Sequence, residues 1–190
     1  MVLSALLAGD PVVLPTDTVY GLCSLPTQEA VRRLRVLKGT PATQPISLLC
    51  TALGDLLDRL PWLRGRPELV LLPGPFTLIF PNPERAFPWL AGSHPESIGI
   101  RVPLLPGMAL AVVQEVGAVA ATSANLHEGT DPRRFEDVPE EIRRQSPGLD
   151  GGELPGTPST VIDFSGAEPR VLREGAAPAA EAIGRVRAAD

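Results

Sequence analysis

The sequence holds a single lysine, Lys38, against sixteen arginines, and only one tyrosine, two tryptophans, two cysteines and two histidines in 190 residues. Each scarcity removes a class of chemistry. Cys23 and Cys50 lie far apart with no CxxC spacing and no histidine partner, so neither a zinc site nor a disulfide framework is expected. They read as reduced core cysteines of a cytosolic protein. His94 and His127 have no nucleophile elbow beside them, which leaves no Ser-His-Asp arrangement. There is no GxxxxGK[ST] loop, no GxGxxG after a strand, and no metal-ligand spacing among the acidic residues, so no metal site of the protein's own is expected. Positive charge is not in excess either: the formal net charge is −5. That balance argues against affinity resting on broad phosphate neutralisation, while leaving a local basic face open. The opening "MVLSALLAGDPVVLPT" has no basic n-region and no long apolar span, so it resembles neither a signal peptide nor a membrane helix. A cytoplasmic protein without a membrane partner is expected.

What is present is an aliphatic, turn-rich chain: 44% hydrophobic, with 22 prolines and 18 glycines. This suits one globular domain over 1–190 with short strands and short connections. Apolar, β-branched runs bounded by Pro, Gly or Asp predict strands at 11–16, 46–50, 76–80, 97–102, 117–123, 159–164 and 170–174. Helical patterns lie between them at 27–38, with Thr27 as N-cap, and at 51–60, 107–117 and 178–189. The alternation implies an α/β sheet of mixed direction. In the first of these helices Ala30, Val31, Leu34 and Leu37 form the apolar stripe, and Arg32, Arg33 and Arg35 read as a solvated face. Residues 126–158 are polar and rich in Pro and Gly, a loop or a lid with a short helix expected in "EDVPEEIRRQ".

The lone lysine raises a chemical question, because an ammonium is a point charge and a guanidinium a planar fork, and the two are not interchangeable at a phosphate or carboxylate. A cation in the last turn of a helix also suits the helix dipole, which is reason enough for Lys38 on structural grounds. Small hydroxyl residues, Gly or Pro, and one charged group meet at strand ends in "LPTDTVYGL", "KGTP", "IGIRVP" with "ATSAN", and "STVIDF" with "VLREG". Strand ends of open α/β sheets are where ligands bind. Hydroxyls, one Lys and a few Arg position anions and stabilise charge better than they relay protons. Tyr20 either walls such a pocket or is a core aromatic with a satisfied hydroxyl, and Asp163 either orients an arginine or ends a strand.

Taken in order, "LPTDTVYGL", "LKGTP", "PGPFTLIF", "IGIRVP", "AATSANLHEG", "STVIDF" and "VLREGA" resemble the successive motifs of the YrdC-like family, the threonylcarbamoyl-AMP synthases, over roughly residues 10 to 175. The resemblance implies a twisted open mixed sheet with flanking helices and a large concave cleft. It implies a reaction in which L-threonine, bicarbonate or CO2, and ATP give threonylcarbamoyl-AMP and pyrophosphate, with Mg2+ carried by the ATP. The product supplies the threonylcarbamoyl group that downstream tRNA-modifying proteins place on adenosine, and members are also described as binding tRNA or double-stranded RNA. Carried over by position, Thr16, Arg101 and Ser159 would contact threonine or the carbamate. Lys38, Thr40, Ser123, Asn125 and Arg173 would lie around ATP, with Lys38, Ser123 and Asn125 as the catalytic group. The family signature Lys-x-Arg-Pro reads Lys38-Gly39-Thr40-Pro41 here, and Gln44 stands where many members have a basic residue or Asn. That departure leaves two paths: on local charge alone, another arginine, Arg35 or one from the 126–158 loop such as Arg133 or Arg134, is expected to reach the same phosphates, or the chain is a YciO-like paralogue that binds nucleotide or RNA without forming the adenylate. Carbamoyl-transfer modules of hydrogenase maturation are a third relation, found in much longer chains.

Overall fold

The computed structural model describes residues 1–189, and the strands form one eight-stranded sheet. In chain order the elements are α1 (Val2–Leu7), β1 (Val12–Pro15), β2 (Tyr20–Ser24), α2 (Gln28–Lys38), β3 (Ser47–Cys50), α3 (Leu53–Arg59), β4 (Phe76–Pro81), β5 (Ser97–Arg101), α4 (Gly107–Val116), β6 (Ala118–Ser123), α5 (Glu140–Gln145), β7 (Thr160–Asp163), β8 (Arg170–Arg173) and α6 (Ala179–Ala189). The sheet order is β1-β2-β6-β3-β5-β4-β7-β8. Only β3/β5 and β4/β7 run parallel; every other neighbouring pair is antiparallel. The expected mixed α/β sheet is therefore present, and each of the seven expected strand segments is occupied. Two elements are additional: β2, whose "YGLCS" is too short and glycine-broken to read as a run, and α1, six residues with no side-chain cap.

Side-chain alternation makes the two faces of this sheet chemically different. Leu22, Leu48, Leu78, Phe80, Ile98, Ile100, Ala120 and Ile162 point to one face, where they pack with Val31 and Leu34 of α2, Leu56 of α3 and Ala179 and Ala182 of α6. The opposite face is covered at one end only, by α1 and α4, through Leu6, Ala109 and Val113 against Leu14, Cys23, Leu49 and Val119. The rest of that face stays open. Both cysteines are buried and unpaired, and burial pushes their thiols up to about 12, the state of inert core residues.

Helix α2 begins at Thr27, whose hydroxyl accepts from the Ala30 amide, and ends at Gly39 with φ 70°, a left-handed residue that glycine adopts without strain. Its arginines correct the sequence expectation. Arg32 and Arg33 lie outside and pair with Glu29, but Arg35 is only 8% exposed and donates to the carbonyls of Pro41 (2.9 Å) and Trp89 (3.2 Å). It braces the 40–45 loop instead of facing solvent.

The segment 126–158 is tied down along the β1 edge. Val13 N donates to Pro147 O, Leu149 N donates to Val13 O, Tyr20 N donates to Pro132 O, and Gly156 N donates to Thr18 O. Val138, Ile142 and Leu154 enter the main core, with Ile142 on the short helix α5 that falls within the expected stretch.

Candidate functional site

The uncovered face of the sheet is the floor of a cleft of about 770 Å³, within the size range of small-molecule sites. Its floor follows from sequence: where alternate residues face the core as Leu, Ile and Phe, those facing the cleft are Gly21, Ser47, Thr77, Gly99, Ala121 and Ser123. Small side chains leave the volume empty. Gly99 sits at its centre, opposite Ile79, which in turn faces Asp163, which faces Arg170.

Five of the residues carried over by position meet in this cleft: Thr16, Arg101, Ser123, Ser159 and Arg173, and Gln44 also lines it. Thr16 follows β1, and its hydroxyl donates to Val19 O at 2.7 Å while accepting from the amides of Thr18 and Val19, which fixes the "PTDT" turn. Ser159 precedes β7 and shares a 2.8 Å hydrogen bond with Thr77. Arg173 on β8 donates from Nε to Ser159 O (3.0 Å) and from Nη2 to Ser159 Oγ (3.1 Å). Among the described residues it has no carboxylate partner.

Lys38, Asn125 and Thr40 stand elsewhere. Lys38 is 6% exposed and lies behind Ser123, where its ammonium donates to Ser123 O (2.7 Å), Asn125 O (2.8 Å) and Asn125 Oδ1. The same Oδ1 accepts from Ser123 Oγ at 2.7 Å, and Asn125 Nδ2 donates to Gly129 O and Asp131 Oδ1. Lys38 thus ties the end of α2 to the turn after β6. Burial lowers its ammonium to about 8, with the Asp131 charge acting in the opposite direction. Thr40 is 7% exposed, off the cleft lining, and its hydroxyl has no protein partner. None of the three candidate substitute arginines reaches the cleft: Arg35 is held by backbone carbonyls, and Arg133 and Arg134 both pair with Glu153.

Sequence reasoning missed several charged contributors, among them Asp17, Arg170 and Asp131. Asp17, inside the quoted "PTDT", accepts from Arg101 Nη2 at 2.9 Å and from Leu104 N at 3.3 Å, and both side chains of the pair are 11% exposed. Burial raises the Asp17 carboxyl despite the arginine, and lowers the Arg101 guanidinium despite the carboxylate. Arg101 Nε is left buried without a partner. Arg170 also lines the cleft, held by Asp163 at 2.7 Å. Burial works to raise the Asp163 carboxyl, but hydrogen bonds from Ser165 and Arg170 outweigh it and leave it below its usual value. Asp163 therefore orients an arginine, the first of its two readings. Asp131 lines the wall next to Ser123. The signal for Asp17 was available, since a carboxylate two residues from a strand end must find a partner; those for Arg170 and Asp131 required the fold. Tyr20 is fully buried, its hydroxyl bonded to Gly152 O, Asp150 and the Gly151 amide, so it belongs to the core and not to the cleft.

The arrangement is a concave, glycine- and hydroxyl-floored cleft with fixed guanidinium groups, suited to holding a carboxylate and other anions. Comparison with known proteins is consistent with that geometry. A Stenotrophomonas maltophilia protein named threonylcarbamoyl-AMP synthase is 33% identical over 159 residues, 80% of this chain and 85% of the relative. The crystal structure of Pyrococcus abyssi Sua5 complexed with L-threonine superposes with a TM-score of 0.79 at 28% identity, over 97% of this chain but 55% of that one, so this chain spans about half of its length. E. coli YciO superposes at 0.77 and 26% identity, over 91% of this chain and 86% of that one. The sequence model of the Sua5/YciO/YrdC family, described as "Telomere recombination", matches residues 4–175. With the ordered motifs, the open sheet and its cleft all in agreement, the chain belongs to the Sua5/YciO/YrdC family.

Proposed function

We propose that this chain is a nucleotidyltransferase that makes threonylcarbamoyl-AMP from L-threonine, bicarbonate or CO2, and ATP, releasing pyrophosphate. The observation that carries the reading is Arg101: a guanidinium in the cleft, fixed on one edge by Asp17 and flanked by Thr16 and Ser159. Such a fork matches a carboxylate, and the relative P. abyssi Sua5 was solved in complex with L-threonine. In this account Arg101 takes the threonine carboxylate. Thr16 and Ser159 shape the pocket so that the amine meets CO2 to form a carbamate. The carbamate oxygen attacks the α-phosphorus of ATP, and the bond to pyrophosphate breaks. Arg173 and Ser123 face the phosphates and ribose, with Lys38 and Asn125 fixing Ser123 from behind; fixed donors stabilise charge as pyrophosphate leaves. Mg2+ arrives with ATP. The adenylate would then pass to proteins that modify tRNA in the cytoplasm; among the described residues no helix is long and apolar enough to cross a membrane.

A second reading is favoured by Thr40. The arginine of the family signature is replaced by a buried hydroxyl, and Arg35, Arg133 and Arg134 are engaged elsewhere. Losing one charged hydrogen-bond partner costs about 1.5–3 kcal/mol, roughly tenfold to a hundredfold in binding or rate. A YciO-like protein that binds nucleotide or double-stranded RNA without turnover fits that loss. Pyrophosphate release from ATP with L-threonine and bicarbonate separates the two. Threonine-dependent release, abolished in Lys38→Ala, supports the synthase; release from Thr40→Arg alone supports the silenced paralogue.

A further inference from the structure

One row of residues crosses four strands of the cleft floor and carries a guanidinium at each end. Thr77 on β4 pairs with Val161 on β7, and Val161 pairs with Arg173 on β8. The Leu78–Ile100 register of β4 and β5, continued by one residue, sets Arg101 opposite Thr77. All four line the cleft. Residues three apart on a regular strand face opposite sides, yet Arg170 and Arg173 both face the cleft, because a bulge interrupts the β7/β8 register between Val161 and Ile162. Arg173 reaches back along the row: its Nη2 donates to Ser159 Oγ at 3.1 Å, and Ser159 Oγ shares a 2.8 Å hydrogen bond with Thr77. Its charge also acts on Arg101, opposing the protonated guanidinium there. The two cations differ in their partners. Arg101 is paired with Asp17 and keeps a buried Nε without a partner, whereas Arg173 has no carboxylate within salt-bridge distance among the described residues.

Two separated guanidinium groups suit a ligand with two anionic ends. L-Threonine has one carboxylate, and with that group on Arg101 its ammonium would meet a second cation. Carboxylation reverses the sign. The ammonium releases a proton, the amine lone pair forms a C–N bond to CO2, a C=O electron pair moves onto oxygen, and a second proton leaves nitrogen for solvent. A nearby cation disfavours the ammonium and favours the carboxylate that replaces it. We infer that Arg173 is the seat of the carbamate carboxylate, so that the cleft holds N-carboxythreonine between Arg101 and Arg173 before ATP is attacked. This rests on the synthase reading above and deepens it by assigning the group that holds the carboxylated substrate. The carboxylate so held supplies the attacking oxygen, which keeps Arg173 beside the phosphate that oxygen joins.

The test uses succinate, which is N-carboxyglycine with CH2 in place of NH, against butyrate, the same chain with one carboxylate replaced by methyl. Binding of each, and of L-threonine, to the 15N-labelled full chain is followed by NMR titration without nucleotide at constant ionic strength, for wild type and Arg173→Gln. Wild type should bind succinate at least about tenfold more tightly than butyrate, the effect of one charged hydrogen-bond partner. In Arg173→Gln that ratio should fall below about threefold, while the affinity for L-threonine stays within about threefold of wild type and shows that the variant is folded. A ratio that survives the substitution, or a wild-type ratio already below about threefold, overturns the assignment and leaves threonine binding at Arg101 standing. Threonine affinity that falls by more than about tenfold in Arg173→Gln moves Arg173 to the threonine carboxylate and overturns it as well. Wild type that binds neither threonine nor succinate overturns the synthase reading together with it.

Discussion

The Asp17–Arg101 pair gives the sharpest energetic prediction. At a charge separation of ~4 Å and an effective dielectric constant of about 20, the attraction is roughly 4 kcal/mol; against it stands a desolvation cost of several kcal/mol for each ion. Both side chains are 11% exposed, so solvent screens little. The ionisation shifts indicate which effect dominates: burial raises Asp17 and lowers Arg101, each in spite of its partner. The pair is thus held for position and not for stability. Asp17→Asn leaves a buried cation uncompensated, and Arg101→Met a buried anion; each should cost about 3 kcal/mol. The double variant should cost no more than either single one, a coupling of about 3 kcal/mol. In urea unfolding with a slope of ~2 kcal/mol per molar, each single variant moves the midpoint by about 1.5 M. Additive losses in the double variant would refute the reasoning, as would single losses below about 1 kcal/mol. Asp17→Asn should also raise the KM for threonine more than that for ATP, since its effect passes through Arg101.

Three further outcomes follow from the same structure. Because burial lowers Lys38 from 10.5 to about 8, the unfolded chain binds more protons than the fold between those values, and stability from this group rises with pH across that window. The unfolding free energy of wild type relative to Lys38→Met should climb there by up to roughly 1.4 kcal/mol per pH unit; a flat or falling difference in pH-dependent denaturation contradicts the burial. A Cβ at Gly99 would meet Ser47 Oγ at 3.4 Å and Thr77 Cγ2 at 3.8 Å, ordinary contacts, so Gly99→Leu should fold with a loss of about 1 kcal/mol while filling the cleft. Ligand binding should fall at least about tenfold, and calorimetry showing unchanged affinity would remove the cleft from the account. Arg35→Ala frees the carbonyls of Pro41 and Trp89 and should cost about 2–3 kcal/mol by thermal denaturation; a loss under ~0.5 kcal/mol would mean that Arg35 does not brace the loop.

The strands β1 and β3 to β8 were legible because Pro, Gly or Asp bound each apolar run, and α2 because Thr27 and Gly39 punctuate it. Strand β2 was not, since its buried "YGLCS" draws its identity from pairing on both sides, with β1 and β6. The motifs located Thr16, Arg101, Ser123, Ser159 and Arg173, all on the cleft. They could not assign Lys38 its place behind Ser123, nor Arg35 its buried one, because helical spacing says which residues share a face and not which loops pack over it. Asp131 and Arg170 sit on connections or an edge strand whose position depends on long-range pairing, and no local pattern encodes that.

The measurement that bears most directly on the central claim is identification of the product. Purified protein incubated with L-threonine, 13C-bicarbonate and Mg·ATP should yield an adenylate that contains threonine and carries one 13C in its carbamoyl carbon, seen by mass spectrometry together with stoichiometric pyrophosphate. Bound ATP with neither labelled adenylate nor pyrophosphate would contradict synthesis and leave nucleotide binding as the activity of this cleft.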